Sequence, residues 1–325
     1  MAGVQGSALA IAVSTAGGLG SLPCAMLTPE ALRRELTQIR ARTDRPFNVN
    51  FFCHSPAEPD EGREHTWRGL LAPYYAELAV PPPDGPGPQR TPFDATAAAI
   101  LEEFKPPVVS FHFGLPDASL LQRVRATGAT ILASATTVDE ARWLASRGVD
   151  AIIAQGAEAG GHRGMFLSDD VTTQIGTLAL VPQIVHAVSV PVIAAGGIAD
   201  AHGVRAALAL GAVAAQVGTA YLLCPETTTS AVHRTALTSD AARHTALTNL
   251  FSGRPARGIV NRVMRDLGPM RSDIPRFPLA SGALQPLRAA AEAIGRGDFS
   301  PLWAGENTSG CRAVPAAEVT QDLVR

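Results

Sequence analysis

From Pro46 onward, short apolar runs rich in β-branched residues alternate with longer stretches in which apolar residues recur three and four positions apart. The short runs read as strands buried on both faces and the longer stretches as helices covering a sheet. Together they predict repeated βα units around a parallel sheet. Strands are predicted over residues 18–22, 47–52, 108–113, 130–134, 151–155, 192–195 and 214–217, and helices over 5–15, 29–39, 118–126, 138–146, 178–188 and 201–210. Thr28, Asp117, Thr137 and Asp200 each stand just before a helical pattern, where a side-chain oxygen caps exposed N–H groups. Gly128, Gly148 and Gly211 follow three of those helices at the position that favours a left-handed residue, and each is followed by a strand.

A closed (β/α)8 TIM barrel needs eight strands and about 250 residues. The 325-residue chain has the length, but only seven strands are legible. The eighth belongs before the helix at 5–15, where the chain has no room for it, so the expectation is a barrel whose first strand is missing or truncated. Residues 79–92 form a Pro/Gly-rich excursion, read as a long loop. After Glu226 the βα rhythm gives way to a helical, Arg-rich pattern. Residues 1–226 are therefore expected to form a cofactor-binding barrel core, and 227–325 a C-terminal helical cap and tail packed on it.

Composition narrows the class. With 46% hydrophobic and 17% charged residues the chain can bury a large core, which excludes disorder. A net charge of −2 gives no electrostatic footprint for nucleic acid or an anionic membrane. The richest apolar stretch, 178–198, is interrupted by Pro182, Gln183, His186 and Pro191, so no membrane span is expected. Cys24, Cys53, Cys224 and Cys311 are scattered without metal-site spacing and read as reduced thiols of a cytoplasmic protein. No basic residue precedes the apolar run at 8–13, so it does not read as a signal peptide. What remains is a small-molecule enzyme, monomeric or homodimeric.

The richest chemistry follows the strand at 151–155: Gln155, Gly156, Ala157, Glu158, Ala159, Gly160, Gly161, His162. Barrel active sites are built from loops at the C-terminal ends of strands, and His162 titrates near neutrality, as a general acid or base requires. A flexible glycine turn with an exposed histidine accounts for the same letters. Ala195-Gly196-Gly197-Ile198 ends a strand and opens a helix, and Gln216-Val217-Gly218-Thr219 repeats the arrangement one unit later. Two adjacent units of this kind suit a phosphate, although tight turns alone produce them too. Asn50 ends its strand with an amide that donates and accepts. His112, inside an apolar strand, reads as a core histidine or a second-rank pocket residue. Arg254 to Arg265 reads as a solvated helix face rather than an anion clamp. Neither a Walker loop nor an H-E-x-x-H motif occurs, so nucleoside-triphosphate and metallohydrolase chemistry drop out.

These residues together resemble the nitronate monooxygenases (2-nitropropane dioxygenase-like), FMN-dependent (β/α)8 enzymes. The resemblance runs through Thr15-Ala-Gly-Gly-Leu-Gly, Pro46-Phe-Asn-Val-Asn, Ser110-Phe-His-Phe-Gly, Ala195-Gly-Gly-Ile, Gln216-Val-Gly-Thr, Ser252-Gly-Arg-Pro-Ala-Arg-Gly and Leu302-Trp-Ala-Gly. Its specific part is Gln155-Gly-Ala-Glu-Ala-Gly-Gly-His162. It implies FMN contacts from Asn50, Gln155, Gly160, Gly197, Gln216, Val217, Gly218 and Thr219, catalysis by His162, and no metal. It further implies oxidation of alkyl nitronates such as propionate 3-nitronate by molecular oxygen to a carbonyl product and nitrite or nitrate. His162, protonated or hydrogen-bonding, would steady the nitronate charge, or act as base toward a neutral nitroalkane. Of the Pro-Met-Ala-Gly turn that ends the family's first strand, only Met1-Ala2-Gly3 is present. Two other readings remain open: a flavin-dependent NAD(P)H reductase (enoyl-acyl-carrier-protein or quinone) of the same superfamily, and a truncated non-catalytic paralogue.

Overall fold

The computed structural model describes residues 1–85 and 87–325. In chain order its strands are β1 (Gly20–Pro23), β2 (Phe47–Phe52), β3 (Val108–His112), β4 (Thr130–Ala135), β5 (Ala151–Gln155), β6 (Gly161–His162), β7 (Val192–Ala195), β8 (Ala214–Gln216), β9 (Thr245–Thr248) and β10 (Ala256–Ile259). Seven of them form one parallel sheet in the order β1-β2-β3-β4-β5-β7-β8, curled with its helices outside as an open barrel. These are the seven strands read from the sequence, with bounds shifted by no more than two residues. The alternation is readable because β2 to β5 are buried on both faces, so nearly every position must be apolar.

The four caps form as expected. Thr28 accepts from the Ala31 N–H (3.2 Å), Asp117 from Leu120 (2.9 Å), Thr137 from Glu140 (3.2 Å) and Asp200 from Gly203 (2.8 Å). Gly128, Gly148 and Gly211 all take positive φ.

β1 and β8 are the edges of the sheet, and among the described residues no strand joins them. The extended chain at Val4 and Gln5 runs in the seam. Gln5 bridges Thr227 and donates its side-chain amide to Ser21 O on β1, while Thr228 N donates to Val4 O (2.8 Å).

The segment after Glu226 departs from the helical expectation. It contains helices Ala231–Leu237, Arg262–Leu267 and Ser281–Ala293, but also β9 and β10, which pair antiparallel with each other and with β6. These strands are four residues or fewer, too short for an alternation pattern to show. The reading of Arg254 to Arg265 as a helix face holds only for its second half: Arg262 starts a helix, whereas Arg257 lies within β10 and is 8% exposed.

Two further helices, Glu61–Leu78 and Ala95–Phe104, lie between β2 and β3. The first packs on Ser281–Ala293, with Trp67, Leu71, Leu250, Val263, Leu284 and Leu287 in a second core beside the barrel's own. Trp67 closes it by donating its indole N–H to Ala280 O (2.9 Å).

Gly20 shows how tightly the first helix seats on the sheet. A Cβ there would stand 2.7 Å from both the Ala10 carbonyl carbon and Ser14 Oγ. Replacing Gly20 with Ala is expected to lower the free energy of unfolding by about 3 kcal/mol, the upper end for overpacking, measurable by chemical denaturation. An unchanged midpoint would show that the helix Ser7–Thr15 yields freely.

Candidate active site

The C-terminal strand ends and the loops of the second core surround one cavity of about 1390 Å³. Every residue expected at the site lines it: Asn50, Gln155, Gly160, His162, Gly197 and the run from Gln216 to Thr219. His112 lines it as well.

The loop after β5 is tied down along its length. Glu158 receives the Thr177 N–H (2.8 Å) and hydroxyl (2.7 Å), capping the next helix. Gly160 lies against another stretch of backbone, where a Cβ would be 2.6 Å from the Ala304 carbonyl carbon. Gly161 takes φ +75°. Arg163, fully buried, donates to Gly156 O (2.6 Å), Gln155 O (2.6 Å) and Gln174 Oε1 (2.9 Å), tying the loop to the end of β5.

The Gln155 amide bonds the loop, with Nε2 donating to His162 O (3.0 Å) and Oε1 accepting from Gly164 N (2.7 Å). His112 donates its Nε2–H to the same His162 carbonyl (3.2 Å). β6 then pairs with β10, placing His162 opposite Ala256.

The His162 ring is fixed by residues far away in sequence. Its Nε2 meets Ser252 Oγ at 2.8 Å, and that hydroxyl also lies 3.4 Å from Arg254 O. Phe277 and Trp303 pack on the imidazole at 5.3 and 5.5 Å between ring centres. Phe113 completes the wall at 6.0 Å, from a backbone held at φ +70°. For an aromatic residue that conformation costs about 1–3 kcal/mol, and such strain concentrates at functional sites. Arg254 stacks 4.1 Å over Phe113 and donates to Met165 O. Among the described residues, His162 Nδ1 has no protein partner.

Burial, followed by the charges of Arg90, His112 and Arg254, holds the His162 imidazolium well below the ordinary histidine range, so the ring is neutral. Burial does the same to His112, lowered to about 3, to His233, lowered to about 4, and to His54.

Beside this loop, on the strands next to β5, β7 and β8 end in Gly196-Gly197 and Val217-Gly218-Thr219. Gly196 and Gly197 take φ +122° and +71°, which a side chain would resist. The N–H groups of Gly197, Gly218 and Thr219 are not among the backbone donors that close onto protein carbonyls in the described residues. Thr219 is anchored by accepting from Gly305 N (3.0 Å). On β2, Asn50 Nδ2 donates to Ser110 Oγ (2.9 Å), leaving its oxygen free, and Asn48 Nδ2 bonds Ser21 and Ser110. The Asn48 oxygen is buried without any donor.

The family model for nitronate monooxygenase matches residues 1–325. The chain belongs to the nitronate monooxygenase family. A nitronate monooxygenase of Pseudomonas aeruginosa is 45% identical over all of this chain and 93% of its own length. Among solved structures, a nitroalkane oxidase from Streptomyces ansochromogenes superposes with TM-score 0.89 at 39% identity, covering 99% of this chain and 92% of that one. FabK from Thermotoga maritima follows at TM-score 0.72 and 28% identity, covering 99% and 89%. Membership makes the protein an oxidoreductase acting on nitronates. No helix among the described residues is long and apolar enough to cross a membrane.

Sequence reasoning missed Ser252, Phe277 and Trp303 as parts of the site. Ser252 and Trp303 lie inside the runs Ser252-Gly-Arg and Leu302-Trp-Ala-Gly that carry the family resemblance, which was the one signal for them.

The depressed histidines set an acid limit on stability. In the unfolded chain each titrates near about 6.5, so on acidification the unfolded state takes up protons first. Their contribution is complete above about pH 6.5 and is lost as pH falls toward the folded values, by up to about 1.4 kcal/mol per pH unit for each group. The thermal midpoint is expected to drop steadily between about pH 6.5 and about pH 4. A midpoint constant over that window would show that these rings are protonated in the folded protein.

Proposed function

We propose that the protein binds FMN in this cavity and oxidises small alkyl nitronates with molecular oxygen to a carbonyl product and nitrite or nitrate. The observation that carries the proposal is His162 with Nδ1 free, lining a cavity in which the ends of β7 and β8 offer unpaired backbone N–H groups.

The donor set fits FMN. Gly197, Gly218 and Thr219 supply N–H groups at two adjacent strand ends for the phosphate, with the dipole of the helix Ala201–Ala209 favouring negative charge there. Asn50 and the unpartnered Asn48 oxygen supply acceptors for the polar edge of the ring. Gly160, Gln216 and Val217 line the space between. When bound, FMN accepts electrons from the substrate and passes them to oxygen.

His162 enters the reaction uncharged. Ser252 Oγ both donates and accepts, so it supports either tautomer of the ring. With the Ser252 hydroxyl donating to Nε2, the proton sits on Nδ1 and hydrogen-bonds the anionic nitronate. With Nε2–H donating to Ser252 and the hydroxyl turned to Arg254 O, Nδ1 is a free base for the α proton of a neutral nitroalkane. Gln155 and His112 hold the His162 backbone, and Phe113, Phe277 and Trp303 exclude water around the ring.

Purified protein supplied with FMN should be yellow, consume oxygen with nitronates, release nitrite, and show flavin bands that respond to nitronate under anaerobic conditions but not to NADPH. Bleaching by NADPH without nitronate turnover would assign a reductase instead, and protein that stays colourless with FMN would overturn the cofactor reading.

Replacing His162 with Asn is expected to cut kcat/KM for a neutral nitroalkane by about 10²- to 10⁴-fold, the range for a lost general base. Replacing Ser252 with Ala should cost about three- to tenfold, one hydrogen bond's worth, with flavin content unchanged. Equal losses in the two variants would mean that Ser252 itself meets the substrate.

A further inference from the structure

Residues 305–311, in the segment after Glu226, lie as a strap across three loops of the barrel. Glu306 N donates to Glu158 O (3.0 Å) after β5, Asn307 Nδ2 to Gly197 O (3.0 Å) after β7, and Cys311 Sγ to Thr219 O (3.0 Å) after β8. Gly305 N donates to the Thr219 hydroxyl (3.0 Å). Gly305 and Asn307 line the cavity, while Glu306, Asn307 and Ser309 are exposed, so the strap stands between cavity and solvent. Glycines let it lie this close: a Cβ on Gly305 would stand 2.7 Å from Glu158 O, and one on Gly310 would run into Ala199 O. The strap's one carboxylate, Glu306, is paired with Arg257 at 2.9 Å, and Arg257 also donates to Ala157 O (2.8 Å).

All four of these bonds run the same way: the strap donates and the barrel loops accept. Carbonyl oxygens repel an anion, so a cradle for one needs its carbonyls occupied elsewhere and its N–H groups left over. The C=O and N–H of a trans peptide point in opposite directions, so capture of the Gly197 carbonyl turns the Ile198 N–H away from Asn307. Among the described residues Ile198 N, like Gly197 N, Gly218 N and Thr219 N, meets no protein acceptor. The Thr219 hydroxyl has one lone pair taken by Gly305 N and keeps its own proton for a ligand. Burial pushes the Cys311 thiol up to about 12, so it stays protonated and able to donate.

Resting on the FMN reading above, we propose that this strap completes the cofactor's phosphate site, with Asn307 and Cys311 as positioning residues. They act through Gly197 and Thr219, holding the loops after β7 and β8 so that donors rather than carbonyls meet the phosphate. Two loops of the barrel thereby become one anion cradle even before the cofactor arrives, which lowers the cost of ordering them on binding. The effect is confined to the phosphate end, so it separates FMN from the same flavin without a phosphate.

The test measures dissociation constants of FMN and of riboflavin, which lacks the phosphate, by flavin fluorescence on wild type, Asn307→Ala, Cys311→Ala and Cys311→Ser. Asn307→Ala and Cys311→Ala should each weaken FMN about three- to tenfold, one hydrogen bond's worth, and leave riboflavin unchanged. Cys311→Ser, whose hydroxyl still donates, should stay close to wild type. Equal weakening of both flavins in the alanine variants would overturn the proposal by showing that the strap only supports the surrounding fold, and so would no weakening at all. If the wild type binds neither flavin, the FMN reading fails, and inorganic phosphate still decides the role of the strap. It should raise the thermal midpoint of the wild type more than that of Asn307→Ala, and an equal rise, or none, would overturn an anion cradle shaped by the strap.

Discussion

The His162 carbonyl receives two side-chain donors, Gln155 Nε2 from the end of β5 and His112 Nε2 from the end of β3, and most of the site follows from that clamp. A glycine-rich loop left to itself samples many conformations. Here its middle is tied to two barrel strands, its flank to Arg163, and its edge to β10. Ordering so many glycines carries a large entropy cost, offset by hydrogen bonds that are mostly buried and therefore costly to leave unmade. The loop can be rigid and still bring backbone close to Ala304 and Gly305, because Gly160 has no side chain to keep them apart.

Rigidity and charge work in the same direction. Burial together with the cations Arg90 and Arg254 lowers the imidazole pKa and favours the neutral ring, and among the described residues no carboxylate is hydrogen-bonded to it. A histidine paired with a carboxylate would be the stronger base, as in hydrolytic triads. This one has a serine instead, which supports both tautomers and adds no negative charge. A site arranged in this way suits an anionic substrate, since nothing in contact with the ring repels it.

The barrel was legible in the sequence because its information is local. Strands buried on both faces write continuous apolar runs, and caps such as Asp117 and Asp200 stand beside the helices they start. The glycine-rich loop was legible for the same reason, as a short run of unusual letters. Its working partners were not: Ser252 stands 90 residues from His162, and only the pairing of β10 with β6 brings the two together. Gln155 was read as a cavity residue from its place at a strand end, but its bond to the His162 carbonyl was not legible, because a sequence does not show which way an amide turns. The helix Glu61–Leu78 has a helical stripe at Trp67, Leu71, Tyr74, Tyr75 and Leu78, but Gly62, Gly69 and Pro73 interrupt it, and each lowers helix propensity.

The two parts of the fold divide the chemistry between them. The strand ends of the barrel supply backbone N–H groups and amides, whose geometry is set by the sheet and tolerates little change. The second core, built from the helix Glu61–Leu78 and the segment after Glu226, supplies Ser252, Phe277 and Trp303, and the stretch before Phe93 supplies Arg90. These reach the cavity on loops, whose side chains can be exchanged without disturbing a parallel strand. The cavity lining can therefore change by substitution at Arg90 or Phe277 while the strand ends stay fixed. The coupling between the parts runs through His162, which belongs to the barrel by its loop and to the second core by its hydrogen bond to Ser252.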